Sequence, residues 1–381
     1  MVTLRVVVDN ILDLSQRGIA RYSLELTRAL VTHAPRDCDV EGIVAASSDE
    51  EYAELERLIP GLGGLQKNRL PRRELARAWQ HGISTTPVHG MVHSPSVLAP
   101  LVKHDRLDTP GEQTVVTIHD ASPWLYPEAS GARGRYIKQM AGRARKFADA
   151  VVVPTHAVAR ELADHIDFGD RIRVIGGAVS SHLALPDDIE EVIDRLELPA
   201  EGYLLAIANP DPRKGLDDLL AAMVLPSFPR LPLLIVGETT WGDRTIGQAI
   251  VDSCVDPRRV RHIGNVADAD LAVVLDQATA FVLPSSYEGF GLTALEALHF
   301  GTPVIHSDVP ALVEVVSDAG VIVERDVDDV SGYRERLALA IADTVGDETA
   351  LERLSVRSLD RAQAFSWRDS AERVWQLHAD L

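Results

Sequence analysis

Residues 284–298, PSSYEGFGLTALEAL, set two carboxylates, Glu288 and Glu296, around a glycine-bearing turn. The apolar run Ala280–Leu283 has the length and composition of a strand. It stops at Pro284, passes Gly289 and Gly291, and gives way to a helical pattern from about Leu292. A strand that turns through glycine into a helix leaves backbone N–H groups open at the helix start. That is an anion site before any side chain is counted. Carboxylates beside such a site are poor phosphate ligands. They suit hydroxyl groups, such as those of a sugar and a ribose on either side of a diphosphate.

Three further segments carry chemistry. The expected strand Tyr203–Ile207 runs into ANPDPRKG, which holds Arg213 and Lys214. Two cations after a strand suit a diphosphate, because they stabilise the charge that builds on a leaving group. An isolated Arg-Lys pair is, however, more often a solvated basic turn. In TIHD, His119 and Asp120 follow the expected strand Val115–Ile118; a lone histidine is more often structural, but the carboxyl end of a strand is where open parallel sheets place ligands. Asp268-Ala-Asp270 spells a metal-binding D-x-D. A helical pattern starts there at once, so both acids read as first-turn residues favoured by the helix dipole. No other His, Cys, Asp or Glu set has metal spacing, and no metal site is expected.

These segments need a scaffold. A chain of 381 residues exceeds what one core usually serves. Strand-like runs alternate with helical patterns in two series. The first has Leu4–Asp9, the helix Ile19–Val31, Val115–Ile118, Ala150–Val153 and Arg173–Ile175; the second has Tyr203–Ile207, Leu233–Val236, Val260–Ile263, Ala280–Leu283 and Pro303–His306. Such alternation predicts α/β architecture with parallel sheets wrapped by helices, in two Rossmann-like domains. The acidic, proline-containing stretch LPDDIEEVIDRLELPAEG separates them, and all the loops singled out follow strands, consistent with a cleft between the domains. Gly61-Leu-Gly63-Gly64 neither follows an expected strand nor opens a helix, so no dinucleotide fingerprint is read there.

The formal charge is −19, and residues 186–381 carry all of it, because residues 1–185 balance. Nucleic acid is therefore a poor partner. Cys38 and Cys254 are too few for a disulfide framework or a zinc site. No apolar run approaches the ~20 residues of a membrane span, and the start reads as a strand rather than a secretory signal. The cytoplasm is the expected compartment. Two basic clusters stand out in the balanced half: Lys67, Arg69, Arg72, Arg73 and Arg77, then Arg133, Arg135, Lys138, Arg143, Arg145 and Lys146. Helical spacing aligns Tyr136, Met140, Ala144 and Phe147 among the second set. The stripe either packs into its own domain or docks, with the two clusters at 67–77 and 133–146, on the inner face of an anionic membrane.

The segment from Pro284 resembles the E-x7-E signature of the family 4 retaining glycosyltransferases of GT-B fold, with Glu288 and Glu296 at its acidic positions, and GTPVIHSDVPALVEVVSDAG from Gly301 is similar to that family's next block. The flavour is that of bacterial mannosyl- and hexosyltransferases of surface polysaccharide assembly. The resemblance implies two Rossmann-like domains facing across a cleft, residues 1–185 binding acceptor and 186–366 binding nucleotide sugar, with a final helix at 367–381 crossing back onto the first. It implies that Arg213 and Lys214 hold the donor diphosphate, and that Glu288 and Glu296 take sugar and ribose hydroxyls. It also implies that the Phe290, Gly291, Leu292 and Thr293 turn meets the phosphates, Asn265 and Val266 receive the nucleobase, and His119 lies against the transferred sugar. QRGIARY resembles the family's GIGRY loop, in which Gly18 would let backbone approach the β-phosphate; Ala20 stands where glycine is usual, and a β-carbon disfavours a left-handed conformation there. Thr155 stands where serine is usual.

The expected reaction moves a hexose, mannose slightly favoured, from a nucleoside-diphosphate sugar to a hydroxyl of a glycan or lipid-linked acceptor. The resemblance implies retention of configuration and no divalent metal or other cofactor. Two alternatives share the architecture: a sugar-nucleotide epimerase, which needs no second substrate, and a non-catalytic glycosyltransferase-like subunit.

Overall fold

The computed structural model describes residues 2–13, 17–84, 89–105, 111–326 and 328–381. The chain divides into two compact units, Met1–Ala178 with Ser366–Leu381, and Val179–Phe365.

The first unit is built on seven parallel strands: β1 (Val2–Val7), β2 (Cys38–Val44), β3 (Leu65–Lys67), β4 (Met91–Ser94), β5 (Gln113–Thr117), β6 (Ala150–Val153) and β7 (Ile172–Val174). Their spatial order is β3-β2-β1-β4-β5-β6-β7. The order reverses between β1 and β4, and at such a switch the connecting chains leave in opposite directions and open a crevice at the carboxyl ends. Apolar residues cover both faces. Leu4, Val6, Val115 and Val152 face one way with Leu26 and Leu30 of the helix Arg17–Thr32; Val116, Val151 and Val153 face the other with Met140 and Ala144 of the helix Pro127–Phe147.

The final helix, Trp367–Asp380, completes the first unit, as the family resemblance implies. Ala371, Val374, Trp375 and Leu377 join the Leu26–Leu30 core. Trp375 Nε1 donates to the Leu30 carbonyl at 3.2 Å, and Ser370 Oγ to the Gly176 carbonyl at 2.8 Å. Further along, His378 Nδ1 lies 3.0 Å from Gln113 Oε1, and its Nε2 lies 3.4 Å from His93 Nδ1. Both histidines are buried.

The second unit repeats the design with β8 (Leu204–Ile207), β9 (Leu233–Val236), a short antiparallel hairpin of β10 (Thr240–Trp241) and β11 (Arg244–Thr245), then β12 (Val260–His262), β13 (Ala280–Leu283), β14 (Val304–Ser307) and β15 (Gly320–Val323). The main sheet is parallel in the order β12-β9-β8-β13-β14-β15, so its switch lies between β8 and β13. The strands that frame this switch are those that feed the Arg213–Lys214 loop and the Glu288 turn. Among the described residues no helix is long and apolar enough to cross a membrane.

Candidate active site

The β8 and β13 loops lock together through their backbones. Ser286 N donates to the Arg213 carbonyl at 2.7 Å. Gly215 takes a φ of +66°, and a β-carbon there would collide with the Pro284 carbonyl oxygen. Glycine is thus required twice over, by conformation and by space. The contact places Lys214 opposite Glu288: its Nζ donates to Glu288 Oε1 at 2.7 Å, and Ser285 Oγ donates to the same oxygen at 2.9 Å. Arg213 turns elsewhere. Its guanidinium forks onto Asp211, with Nη2 to Oδ2 at 2.6 Å, while its backbone N–H is capped by Asp211 Oδ1 at 3.0 Å. Of the two adjacent cations, Lys214 meets the carboxylate of the neighbouring loop. Both side chains keep part of their surface accessible, at 28% for Arg213 and 32% for Lys214.

Beyond Glu288 the chain enters the helix Leu292–His299 through Gly291, whose φ of +85° and whose missing β-carbon (it would stand 2.5 Å from Leu312) make any other residue costly. Its N-cap, Gly291, has no side chain to cap this helix, so the amides of Leu292 and Thr293 stand at its positive end. Phe290 is fixed edge-on against Phe365, with ring centroids 5.9 Å apart. Glu296 sits one turn into the helix and is buried, 2% exposed. Asn265 and Val266 follow β12 at the same carboxyl edge, two strands from β8. Asp270 of the D-x-D triplet is bound bidentately by Arg195, at 2.7 and 3.1 Å, in the first turn of the helix Asp268–Asp276.

In the first unit the β1/β4 switch holds a cavity of about 190 Å³ lined by Asn10, Asp13, Arg72, Ser96, Thr117, His119, Asp120, Arg133 and Tyr136 with apolar neighbours. Its polar wall is preorganised. Arg72 reaches Asp9 at 3.1 Å, and Asp13 and Asn10 each at 2.9 Å; Asn10 Nδ2 donates to Ser96 Oγ at 2.6 Å. The Tyr136 hydroxyl is buried with no hydrogen-bond partner among the described residues. His119 Nε2 donates to the Pro95 carbonyl at 2.8 Å, and its ring meets Tyr22 edge-on at 4.8 Å. Burial pushes its pKa below the ordinary histidine value, against the opposing pull of the Pro95 carbonyl, so the ring is a neutral imidazole at pH 7. Asp120 accepts from the backbone and hydroxyl of Ser122 at the start of the short helix that follows.

Gly18 lies exposed in the first turn of the helix Arg17–Thr32, with open space where a β-carbon would stand. Ala20 is buried in the same regular helix. Gln16 of this loop is outside the described residues. The Thr155 hydroxyl accepts from Val158 N and caps the helix His156–Ala163.

One sequence expectation changes here, and one alternative left open is decided. Arg72, grouped with a surface basic cluster, turns inward to Asp9 and Asp13; and Lys67 lies over the Tyr52 ring at 3.9 Å. The stripe Tyr136, Met140, Ala144 and Phe147 packs on the core around Val116 and Val151, so it offers no apolar face to a membrane. Sequence reasoning did not single out Asn10, Asp13, Ser96 or Tyr136 as site residues; each is ordinary in its own segment, and only the fold brings them together.

Parallel sheets with a loop-bound cation–carboxylate pair at one switch and a polar cavity at the other are compatible with a transferase that handles sugars. Residues 16–182 match the sequence profile described as Glycosyltransferase Family 4, and residues 188–354 match that described as Glycosyl transferases group 1. The chain belongs to the family 4 glycosyltransferases and has the GT-B fold. Among its relatives is the O-antigen chain mannosyltransferase B of Escherichia coli, 31% identical over 376 residues that span 92% of this chain and 93% of that one. Among solved structures, sucrose-phosphate synthase from Thermosynechococcus elongatus superposes with a TM-score of 0.71 at 20% identity, covering 100% and 99% of the two chains. Anabaena HepE in complex with UDP-glucose gives 0.72 at 17% identity over the whole of both chains.

Proposed function

We propose that this glycosyltransferase moves a hexose, with mannose favoured, from a nucleoside-diphosphate sugar to a hydroxyl of a glycan or lipid-linked acceptor and retains the anomeric configuration. The observation that carries the reading is the Lys214–Glu288 pair at the β8/β13 switch, beside a helix start whose N-cap is the glycine Gly291. Breaking the anomeric C–O bond develops positive charge on the sugar and negative charge on the departing diphosphate. Lys214, Arg213 and the Leu292 and Thr293 amides supply the opposing field for that diphosphate, so no divalent metal is needed. Glu288 and Glu296 accept hydroxyls of sugar and ribose. A donor phosphate oxygen takes the acceptor's proton as the new glycosidic bond forms on the same face.

The acceptor sugar enters the cavity of the first unit, where Asn10, Asp13 and Tyr136 offer hydrogen bonds, and the neutral His119 that lines it lies against the transferred sugar. Mannose is favoured because a mannosyltransferase matches over nearly the whole chain; the UDP-glucose bound to HepE keeps UDP as the comparison base. Contact with an anionic membrane would rest on exposed cations of the two clusters, Lys67, Arg69, Arg73 and Arg77 in one and Arg133, Arg135, Arg145 and Lys146 in the other, and absence of co-sedimentation with anionic vesicles at low salt removes it.

The test is incubation of the enzyme with GDP-mannose and a mannose-terminated oligosaccharide, with EDTA present, followed by NMR of the product. The expected product carries an α-linkage from the α-configured donor. A β-linkage overturns retention, and dependence on added metal overturns the electrostatic account. Full conversion of the nucleotide sugar without acceptor points to an epimerase instead. Thermal-shift titration with GDP, UDP and dTDP then ranks the bases, because a ligand above its dissociation constant raises the melting temperature.

A further inference from the structure

We infer that Arg325 is a positioning residue for the Lys214–Glu288 pair; the inference rests on the reading of that pair as the grip on the donor. Arg325 follows β15 and belongs to none of the motifs above. Its Nη1 donates to the Pro284 carbonyl at 3.1 Å, its Nη2 reaches Asp218 Oδ2 at 2.9 Å, and its guanidinium carbon lies 4.6 Å from the centre of the Tyr333 ring. Its backbone N–H donates to Asp308 Oδ1 at 3.1 Å. One residue therefore ties together chain that follows three neighbouring strands: Asp218 beyond β8, Pro284 beyond β13 and Asp308 beyond β14.

Pro284 is where the glutamate turn leaves its strand, and its carbonyl oxygen is the atom against which Gly215 is pressed. Arg325 holds one side of that oxygen while the Lys214 loop closes over the other. The next two residues are fixed as well, Ser285 through its carbonyl to Ser307 Oγ and Ser286 through its amide to the Arg213 carbonyl. From there the chain runs directly to Glu288. Asp218 is buried and shared by a second guanidinium, Arg334, whose Nε reaches Oδ1 at 3.0 Å. Asp218 anchors the brace, and Arg325 carries it to the loop. A planar fork serves a carbonyl and a carboxylate at fixed angles, which an ammonium on a flexible stem does not.

The pair R325M and R334M tests this, with K214A as the reference and R325K as a milder change. Each Met substitution takes one cation from Asp218, and R325M also gives up the Pro284 carbonyl and the Tyr333 ring, so it lowers the melting temperature at least as much as R334M. Only R325M releases Pro284, and a reacting geometry displaced by about 1 Å costs on the order of 100-fold. The expected result is a kcat for R325M reduced 10- to 100-fold with donor KM changed far less, R334M close to the parent, and R325K, which keeps charge but not the fork, still impaired. If K214A is crippled while R325M and R325K track R334M in kcat, the brace is overturned and the donor reading stands. If K214A itself turns over normally, the donor reading falls and the role of Arg325 with it.

Discussion

The two switch points of this molecule solve different problems with the same sheet. In the second unit, two short loops interlock backbone to backbone and present one cation–carboxylate pair beside open helix amides. In the first, a cavity is walled by side chains from five separate stretches, around Asn10, Arg72, Ser96, His119 and Tyr136. On the proposed function, the contrast follows what each kind of ligand demands. A diphosphate is held by charge and by N–H groups that every sequence possesses, so a compact motif suffices. Hydroxyls must be matched one by one, and that takes polar side chains gathered from across the fold. The acid excess of residues 186–381 sits in the unit whose proposed task is anion binding; its positive field is therefore local, made by two side chains and a helix end.

The comparison breaks most readily at Lys214. K214A should lower kcat by about 100- to 1,000-fold, the ~3–4 kcal/mol typical of a preorganised electrostatic group, with a melting temperature close to the parent because the pair is partly solvated. A steady-state assay beside a thermal melt checks both. The interlock between loops is next. G215A puts a side chain at positive φ and against the Pro284 carbonyl, and strain of this kind costs about 1–3 kcal/mol. Denaturant unfolding should register that loss, accompanied by reduced donor-dependent activity.

The third prediction belongs to the first unit and concerns pH. Burial holds His93 well below the ordinary histidine pKa, with repulsion from His378 adding to the effect, and burial pushes His378 down to about 3. Unfolding exposes both, and each then takes up a proton below about 6.5. The folded state thus keeps its full stability above that pH and loses it progressively as pH falls toward 3. Chemical denaturation at several pH values should show this slope, and H378Q should flatten it. The smallest effect is expected at Tyr136. Its hydroxyl bonds nothing among the described residues, so Y136F should leave stability unchanged and raise the acceptor KM a few-fold without altering donor binding. An unchanged acceptor KM would remove this hydroxyl from acceptor recognition.

How much of this was legible depended on whether the determining contacts were local. Ala150–Val153, Leu233–Val236 and Ala280–Leu283 are strands with the bounds read from sequence, because a strand buried on both faces is an unbroken apolar run. β2 was not read: Asp39 and Glu41 interrupt CDVEGIV. β3, only three residues long, and β4, with its histidine, gave no run to see. Arg72 looked like one more surface cation, because the aspartates that turn it inward lie 59 and 63 residues away in the chain. The Tyr136–Phe147 stripe has the same spacing whether it meets lipid or a sheet. What decides is the apolar face of β5 and β6 laid against it, and the helix does not encode that surface. The β8 and β13 loops were the opposite case, since strand, glycine, charge and helix start followed one another within about fifteen residues.

The closing helix carries a consequence for how the protein is made. Ala371, Val374 and Trp375 plug the core around Leu26 and Leu30, yet they follow the whole of the second unit in the chain. A ribosome that has delivered residues 1–178 has released a sheet whose hydrophobic flank is still bare, and the Leu30 carbonyl has yet to meet its indole. The later half, continuous in sequence, can fold as soon as it emerges. Of the two units the earlier one therefore matures last, and in the interval its apolar flank stays uncovered.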